Sequence, residues 1–224
     1  WYKNAFYYEV EDTFKKAISS SDEIAPDEIL AFKYAILLEC AAMDYDKGWV
    51  RELYIGALRD SNTAMRKQLG AGAGFDSMGE TNFAKPLAKH LDKLNMQGKL
   101  GKTILFNITP KDSEMLASML GNFQDGKVAG ALQSGSAWWF MNSIDGITRQ
   151  LNSVESMSLL GRFIGTLSDA RSFTSYSRHE YFRRILCNYL GTQRQRGLLP
   201  KDIQLVGGVV SAICYGNAQS YFLQ

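Results

Sequence analysis

Two charged residues at the end of an apolar run have the types and spacing for chemistry. Asp169 and Arg171 lie two positions apart, just after the apolar segment 163–167. If that segment is a strand that continues, both side chains point to the same side of it. An aspartate at a strand end can bind a divalent metal and exchange protons with a substrate, and a neighbouring arginine can hold a carboxylate. An ordinary surface ion pair or a helix cap fits the spacing equally well, so both interpretations stay open here.

Two further candidates also follow strand-like runs. Arg59 comes directly after the run 54–58, where it could recognise a carboxylate or hydroxyl group, although a solvated loop arginine is the simpler interpretation. Trp138 and Trp139 follow a Gly-Ser-Ala segment. Adjacent residues of a strand point to opposite faces, so one tryptophan could stack on a sugar ring while the other fills the core. Placement of both tryptophans in the core is the alternative.

The histidines do not form a recognisable metal motif. The chain has two, His90 and His179, and contains no His-x-His, His-Glu-x-x-His or Cys-x-x-Cys pattern. We expect His90 to be solvated on a lysine-rich helix and the charges of 178–184 to pair with acidic neighbours. The chain therefore offers no complete zinc site of a usual kind. The glycine-rich segment 70–74 does not follow a strand and open a helix, so it fails the test for a phosphate loop.

The composition excludes several classes of partner. The 224 residues include 25 Lys or Arg and 23 Asp or Glu, giving a net charge of +2, which predicts no nucleic-acid or membrane-surface partner. A hydrophobic content of 46% supports a folded core. The three cysteines are odd in number and far apart, which favours a reducing compartment and predicts a cytoplasmic protein.

The hydrophobic periodicity predicts strands that alternate with helices. The predicted helices cover 12–47, 83–95, 112–120, 145–160, 175–191 and 201–222. The predicted strands cover 49–58, 102–108, 128–134 and 162–167. Strands that are each followed by a helix predict an α/β fold with a parallel sheet, whose ligands bind at the carboxyl ends of the strands. Four strands do not close a barrel, so the sheet is open or four more βα units precede it.

We predict a single domain over 1–224. Within it, 1–48 is a helical lead-in, 49–191 contains the βα units and 192–224 is a C-terminal helix. Because the chain begins at Trp1 rather than at a methionine, we expect it to be part of a longer protein or a processed chain. The open strand edges would also let the chain pair with a second copy of itself, so a homo-oligomer is a further expectation.

Several long and unusual motifs resemble the uronate isomerase (glucuronate isomerase) family of the amidohydrolase superfamily. The resemblance extends over nearly the whole chain. Its motifs are IGALRD (55–60), GFDSMG (74–79), KTILFNITPKDSEMLASMLGNFQDG (102–126), GSAWWF (135–140), LLGRFIGTLSDARSFTSYSRHEYFRRILCN (159–188) and ICYGNAQSYF (213–222). It implies the C-terminal half of a (β/α)8 TIM-type barrel, with about four βα units, strands 5 to 8, and C-terminal helices.

The resemblance also implies an activity and a site. The family interconverts aldose and ketose hexuronates, D-glucuronate with D-fructuronate and D-galacturonate with D-tagaturonate, and carries one divalent metal, usually zinc. Two metal ligands come from a His-x-His on the first barrel strand, which is absent from this sequence, and the third matches Asp169. Arg171 matches the family arginine that helps to hold the substrate, and Arg59 matches an arginine of the pocket. We therefore predict Asp169 as metal ligand and catalytic proton-transfer group and Arg171 as a catalytic residue that also binds the substrate. Arg59, Tyr54 and Trp138 are predicted as substrate-binding residues, with Trp138 as a pocket wall.

One residue departs from the family pattern inside the expected pocket. Tyr54 stands where the family has histidine. A tyrosine can donate a hydrogen bond, but a reference pKa of about 10 makes it a poor proton acceptor at neutral pH. A catalytically silent half-barrel that binds a sugar acid or a partner subunit is therefore the alternative function. Since the chain matches one of three metal ligands, we expect the isolated chain to lack isomerase activity.

Overall fold

The computed structural model describes residues 2–19, 24–79, 82–170 and 172–223. These residues form two compact units. The first contains the described residues up to Arg51 together with 82–103, and the second contains 52–79 and the described residues from Ile104 onward. The division of one domain into 1–48, 49–191 and 192–224 stays a prediction.

The chain is an α/β protein, as its sequence predicts. Its helices are α1 (Tyr7–Ser19), α2 (Pro26–Asp46), α3 (Thr63–Leu69), α4 (Ala84–Met96), α5 (Ser113–Gly121), α6 (Ile144–Met157), α7 (Ser177–Gln195), α8 (Ile203–Ser211) and α9 (Asn217–Leu223). Its strands are β1 (Arg51–Ile55), β2 (Ala57–Leu58), β3 (Ser77–Met78), β4 (Thr103–Asn107) and β5 (Leu132–Ser134). None of the helices in the described part of the chain has the length and apolar character needed to cross a membrane.

The first unit is helical and contains α1, α2 and α4. The predicted helix over 12–47 is two helices in the structure, and residues 20–23 lie outside the described part of the chain. The predicted start at Pro26 is confirmed: the proline occupies the first turn, and the Glu28 carboxylate accepts a hydrogen bond from the Ala25 amide at 2.9 Å. Proline at this position loses no helical hydrogen bond, and the acidic side chain satisfies an exposed donor.

The predicted exposure of His90 in the first unit is wrong. We expected it to be solvated, yet the structure buries it completely on α4, beside the equally buried Leu91 and Leu94. Its ring meets the edge of Tyr34 with the ring centroids 5.8 Å apart. Burial lowers the pKa of His90 to about 4, with smaller effects from the positive charges of Arg51 and Lys93. His90 is therefore a neutral core residue at pH 7.

The second unit is built on a three-stranded parallel sheet in the order β1-β4-β5. The run 102–108 forms β4 as predicted, and every residue of this central strand is buried. The run 49–58 is divided between β1 and β2 at Gly56, whose φ of +96° is open to glycine but not to ordinary residues. After this bend, β2 leaves the sheet and pairs antiparallel with β3, with Ala57 opposite Met78 and Leu58 opposite Ser77.

The predicted strand over 162–167 is absent from the described residues. Gly165 has a φ of +70°, and a β-carbon there would lie 2.2 Å from the Ile213 carbonyl oxygen, so the backbone leaves the extended conformation to fit against the C-terminal region. In this segment, hydrogen bonds to side chains take the place of the backbone hydrogen bonds that a strand would form. Gln133 Oε1 accepts a hydrogen bond from the Ile164 amide at 3.0 Å, and the Ser136 hydroxyl lies 3.3 Å from the Leu167 amide nitrogen.

The C-terminal helices hold this irregular segment. The predicted helix over 201–222 is α8 and α9, joined by a π-helical turn over Ala212–Gly216. Asn217 Nδ2 donates to the carbonyl oxygens of Gly161 at 3.0 Å and Phe163 at 2.8 Å. The Tyr221 hydroxyl donates to the Ala131 carbonyl at 2.6 Å. Apolar residues of α6, α7 and the last helices form the core beneath: Ile147, Leu151, Val154, Phe182, Leu186, Leu190 and Ile213.

Candidate active site

A cavity of about 360 Å³ lies at the carboxyl end of the three-stranded sheet. Four of the five predicted site residues line it: Tyr54, Arg59, Trp138 and Asp169. The fifth, Arg171, lies outside the described residues. Since parallel strands end at the same edge of a sheet, residues distant in sequence meet there. The volume is at the lower end of the range of roughly 300–1,000 Å³ typical of small-molecule sites.

Tyr54 lies on one wall of the cavity within an aromatic cluster. Its ring stacks on Phe106 with the centroids 4.4 Å apart and meets Trp138 edge-on at 4.9 Å. Its hydroxyl donates a hydrogen bond to Glu52 Oε2 at 2.9 Å. Burial raises the pKa of Tyr54 above its usual value, with further increases from the Glu52 hydrogen bond and from the charges of Glu52 and Asp169. Tyr54 is therefore a neutral donor, and no proton acceptor, at neutral pH.

Arg59 lies on a second wall and has two neighbours that sequence reasoning missed. Its Nη1 donates to Asp76 Oδ2 at 2.9 Å, and its guanidinium carbon lies 5.1 Å from the ring centroid of Trp139. The strand register explains the ion pair: Leu58 is opposite Ser77, so the next position places Arg59 opposite Asp76. The sequence signal for Asp76 is the GFDSMG motif, but only the register of β2 and β3 shows its partner.

The two tryptophans do not lie on a strand, so the expectation that they point to opposite faces is wrong. Trp138 precedes a 3₁₀ turn over Trp139–Met141, and both indoles are half-buried and line the cavity. Neither is a core residue. Trp139 has a φ of +50°, and Asp60 has a φ of +52°; no other non-glycine residue in the described ranges has a positive φ. Such left-handed residues cost about 1–3 kcal/mol each and occur preferentially at functional sites.

Asp169 lies on the exposed side of the cavity. It follows the irregular segment after Gly165 rather than a strand, so the argument that places Asp169 and Arg171 on one strand face does not apply. Its negative charge contributes to the raised pKa of Tyr54, which indicates that the two side chains face the same space. Arg178, at the start of α7, also lines this cavity, so the described lining contains a second cation besides Arg59.

His179 does not line the cavity that holds Asp169. It lines a neighbouring cavity of about 520 Å³ together with Tyr176 and Phe173. Residues 166–168, Ala170 and Ser175 line both cavities, so the two cavities lie side by side. Among the surrounding charges, Glu180 and Arg184 form the expected pair, with Nη2 2.7 Å from Oε1.

A family profile for glucuronate isomerase matches residues 1–222. The chain belongs to the glucuronate isomerase family. It is 48% identical to the uronate isomerase of Cellvibrio japonicus over 214 residues, which are 96% of this chain and 45% of that protein. It is also 48% identical to the uronate isomerase of Phocaeicola vulgatus over 215 residues, 96% of this chain and 46% of the relative.

The fold of this glucuronate isomerase family member is similar to a solved structure. The crystal structure of uronate isomerase from Thermotoga maritima matches with a TM-score of 0.85 at 29% sequence identity, covering 98% of this chain and 47% of that chain. The chain thus spans about half the length of the curated relatives and of the solved structure that it matches.

The described residues do not fit a complete metal site. No group of three or more His, Cys, Asp or Glu side chains in the described ranges could hold a metal ion. Asp169 lines the cavity as a single carboxylate, and neither His90, in the first unit, nor His179, in the neighbouring cavity, lines it. A resident zinc ion needs three or four protein ligands. The chemistry that these residues can support is accordingly anion recognition, hydrogen-bond donation and proton transfer.

Proposed function

We propose that this chain contributes a substrate site to an aldose–ketose isomerase of hexuronates, which interconverts D-glucuronate with D-fructuronate and D-galacturonate with D-tagaturonate. One observation carries the proposal. Tyr54 and Arg59, Trp138, and Asp169 come from three separate parts of the sequence and line one small cavity. A cation, a carboxylate, a neutral donor and an aromatic wall are the groups that a sugar acid needs. Membership of the glucuronate isomerase family supports the same substrate class.

The reaction defines a role for each group. Conversion of an aldose into a ketose moves a proton from C2 to C1 and another from O2 to O1. Asp169 is the carboxylate that takes the C2 proton and returns it to C1. Arg59 holds the substrate carboxylate, which fixes the sugar so that C2 faces Asp169. Arg171 shares this task in the proposal, although it lies outside the described residues.

The remaining two groups shape the pocket. Trp138 supplies a flat apolar wall against which the carbon chain packs. The Tyr54 hydroxyl stays protonated because its pKa is raised. On substrate binding it exchanges its acceptor Glu52 Oε2 for a substrate oxygen and donates its one proton to that oxygen as the oxygen gains negative charge. This donor role needs no basic side chain at position 54, so tyrosine is compatible with turnover. A divalent metal, with zinc expected, stays a prediction, and no step above depends on it.

The finer description of the fold belongs to the same proposal. We infer that the chain forms the C-terminal half of a (β/α)8 barrel. Its parallel sheet, its site at the carboxyl ends of the strands and its coverage of 47% of the Thermotoga maritima enzyme support this inference. A cytoplasmic location and self-association stay predictions from the sequence.

The test is isomerisation by the natural protein in deuterated water. Proton NMR should detect D-fructuronate formed from D-glucuronate, and the recovered aldose should carry deuterium at C2 because Asp169 exchanges its proton with solvent. D-Glucose, which lacks the carboxylate, is the matched control and should not react. Binding of D-glucuronate without ketose formation would overturn the enzymatic proposal and support the silent binding role instead.

A further inference from the structure

The Arg59 side chain is hydrogen-bonded to the carboxylate of Asp76, which is not among the residues that line the cavity. We propose that Asp76 is a positioning residue that fixes Arg59 for the carboxylate of the substrate, and thereby sets the preference for sugar acids over neutral sugars. This inference rests on the proposed function. It assigns a task to the GFDSMG motif, whose residues 74–79 have no role in the mechanism above.

The first contact holds the guanidinium group of Arg59. Asp76 Oδ2 accepts a hydrogen bond from Arg59 Nη1 at 2.9 Å. The side chain of Asp76 is 3% exposed, whereas that of Arg59 is 60% exposed. Asp76 is therefore covered by the protein, and the guanidinium group stays open toward the cavity. A guanidinium has five N–H donors in a rigid plane, so one bond to Asp76 leaves a free edge for a second carboxylate.

The second contact fixes the backbone that carries the arginine. Asp76 Oδ1 accepts a hydrogen bond from the Asp60 amide at 2.7 Å. Asp60 has a φ of +52°, a left-handed conformation that needs support from its surroundings. Its own carboxylate accepts from the Gly72 amide at 2.9 Å. One carboxyl group thus holds both the guanidinium of Arg59 and the strained residue that follows it.

Two further observations agree with this role. The Trp139 ring lies under the guanidinium with its centroid 5.1 Å from the central carbon, which restricts the plane of the group. The Asp60 amide and then Arg59 lower the pKa of Asp76, so Asp76 keeps its charge at neutral pH. An arginine that is held by a charged partner, a strained backbone and an aromatic ring has one orientation before a ligand arrives.

A double-mutant cycle with the natural protein tests the proposal. Asp76→Asn removes the charge that holds Arg59, and we expect KM for D-glucuronate to rise about 10-fold with little change in kcat. In the Arg59→Ala background the same substitution should have no further effect on KM, because its target is gone. Asp76→Glu keeps the charge and should recover part of the loss. The matched control is Asp125→Asn: Asp125 also accepts a backbone amide, that of Lys127 at 2.9 Å, but is not among the residues that line the cavity.

A second measurement does not depend on turnover. The Arg59 Nε–H signal, assigned by its loss in Arg59→Ala, should shift and exchange faster with water in Asp76→Asn but not in Asp125→Asn. An unchanged signal would overturn the proposal, as would an equal rise of KM in the Arg59→Ala background, which indicates a general structural effect. If the natural protein neither binds nor converts a uronate, the proposed function fails. The proposed role in sugar-acid preference then fails with it, and the NMR signal still shows whether Asp76 orders Arg59.

Discussion

The two charged walls of the cavity are built in different ways. The Arg59 wall is the short antiparallel strand pair β2 and β3, which residues 59–76 connect, and Asp76 holds both the Arg59 side chain and the Asp60 amide. The Asp169 wall is an irregular segment that side chains of Gln133 and Ser136 attach to the sheet from 31 residues away. The side chain proposed to bind the substrate carboxylate is thus held by a carboxylate next to the paired strand. The segment that leads to the proposed proton-transfer group is held by side chains from two other parts of the chain.

The largest expected effect comes from the Asp169 wall. Asp169→Asn removes the proton acceptor but keeps the size of the side chain, so kcat of the natural protein should fall by about 10²–10⁴-fold. The melting temperature should not change, since Asp169 is exposed. Steady-state assays with D-glucuronate measure the effect, and Asp145→Asn, an exposed residue of α6, is the control. Full activity in the Asp169 variant would exclude the proposed proton-transfer role.

The next effect tests how the Asp169 wall is attached. Gln133→Leu removes the acceptor of the Ile164 amide, and a buried donor left without a partner costs about 1–3 kcal/mol. We expect the free energy of unfolding to fall by that amount and kcat to fall with it, because Asp169 is no longer held. Chemical denaturation measures the first quantity. Gln97→Leu, an exposed position, is the control, and unchanged stability of the Gln133 variant would contradict the attachment.

A smaller effect measures the backbone strain at Trp139, whose ring packs against Arg59. Trp139→Ala and Trp139→Gly both remove the ring under Arg59, but only glycine accepts a φ of +50° without strain. The glycine variant should therefore be more stable than the alanine variant by about 1–2 kcal/mol. Thermal unfolding of the two variants gives this difference directly. Alanine and glycine variants of equal stability would show that the turn relaxes once the indole is removed.

The smallest effect concerns Tyr54, which lies between the two walls. Its raised pKa means that the folded protein binds the phenolic proton more tightly than the unfolded chain does. The resulting stabilisation is fully present below the unfolded pKa of about 10 and is lost as the pH rises toward the folded pKa. Tyr54→Phe should therefore flatten the decrease in stability at alkaline pH, as measured by unfolding at pH values above about 9. An identical alkaline slope would place Tyr54 in a solvated environment.

Local patterns of the sequence predicted several of the regular elements, but not α3 or β3. Pro26 and Glu28 indicated the start of α2, and the run 102–108 indicated the buried β4, because capping and apolar runs act over a few residues. The α/β class followed from their alternation. The resemblance also selected Tyr54, Arg59, Trp138 and Asp169, which the structure brings to one cavity.

The errors have long-range causes. The run 162–167 has the composition of a strand, but Gly165 bends toward Ile213, a residue 48 positions later in the chain. His90 resembles a solvated residue among lysines, yet its burial depends on Tyr34 from another helix. Asp76 has no visible partner until the register of β2 and β3 is known. In each case the deciding contact joins parts of the chain that local reasoning treats separately.

The hydrogen bonds of Asn217 and Tyr221 have a consequence for biosynthesis. They hold Gly161, Phe163 and Ala131, partners that precede them by 54 to 90 residues. A ribosome releases the chain from its N-terminal end, so the β2–β3 strand pair next to Arg59 can form before Asn217 and Tyr221 emerge. The segment that leads to Asp169 is held earlier by Gln133 and Ser136, but it obtains the hydrogen bonds of Asn217 only when α9 leaves the ribosome. The wall proposed to bind the substrate carboxylate can therefore form earlier in translation than the wall proposed to transfer protons.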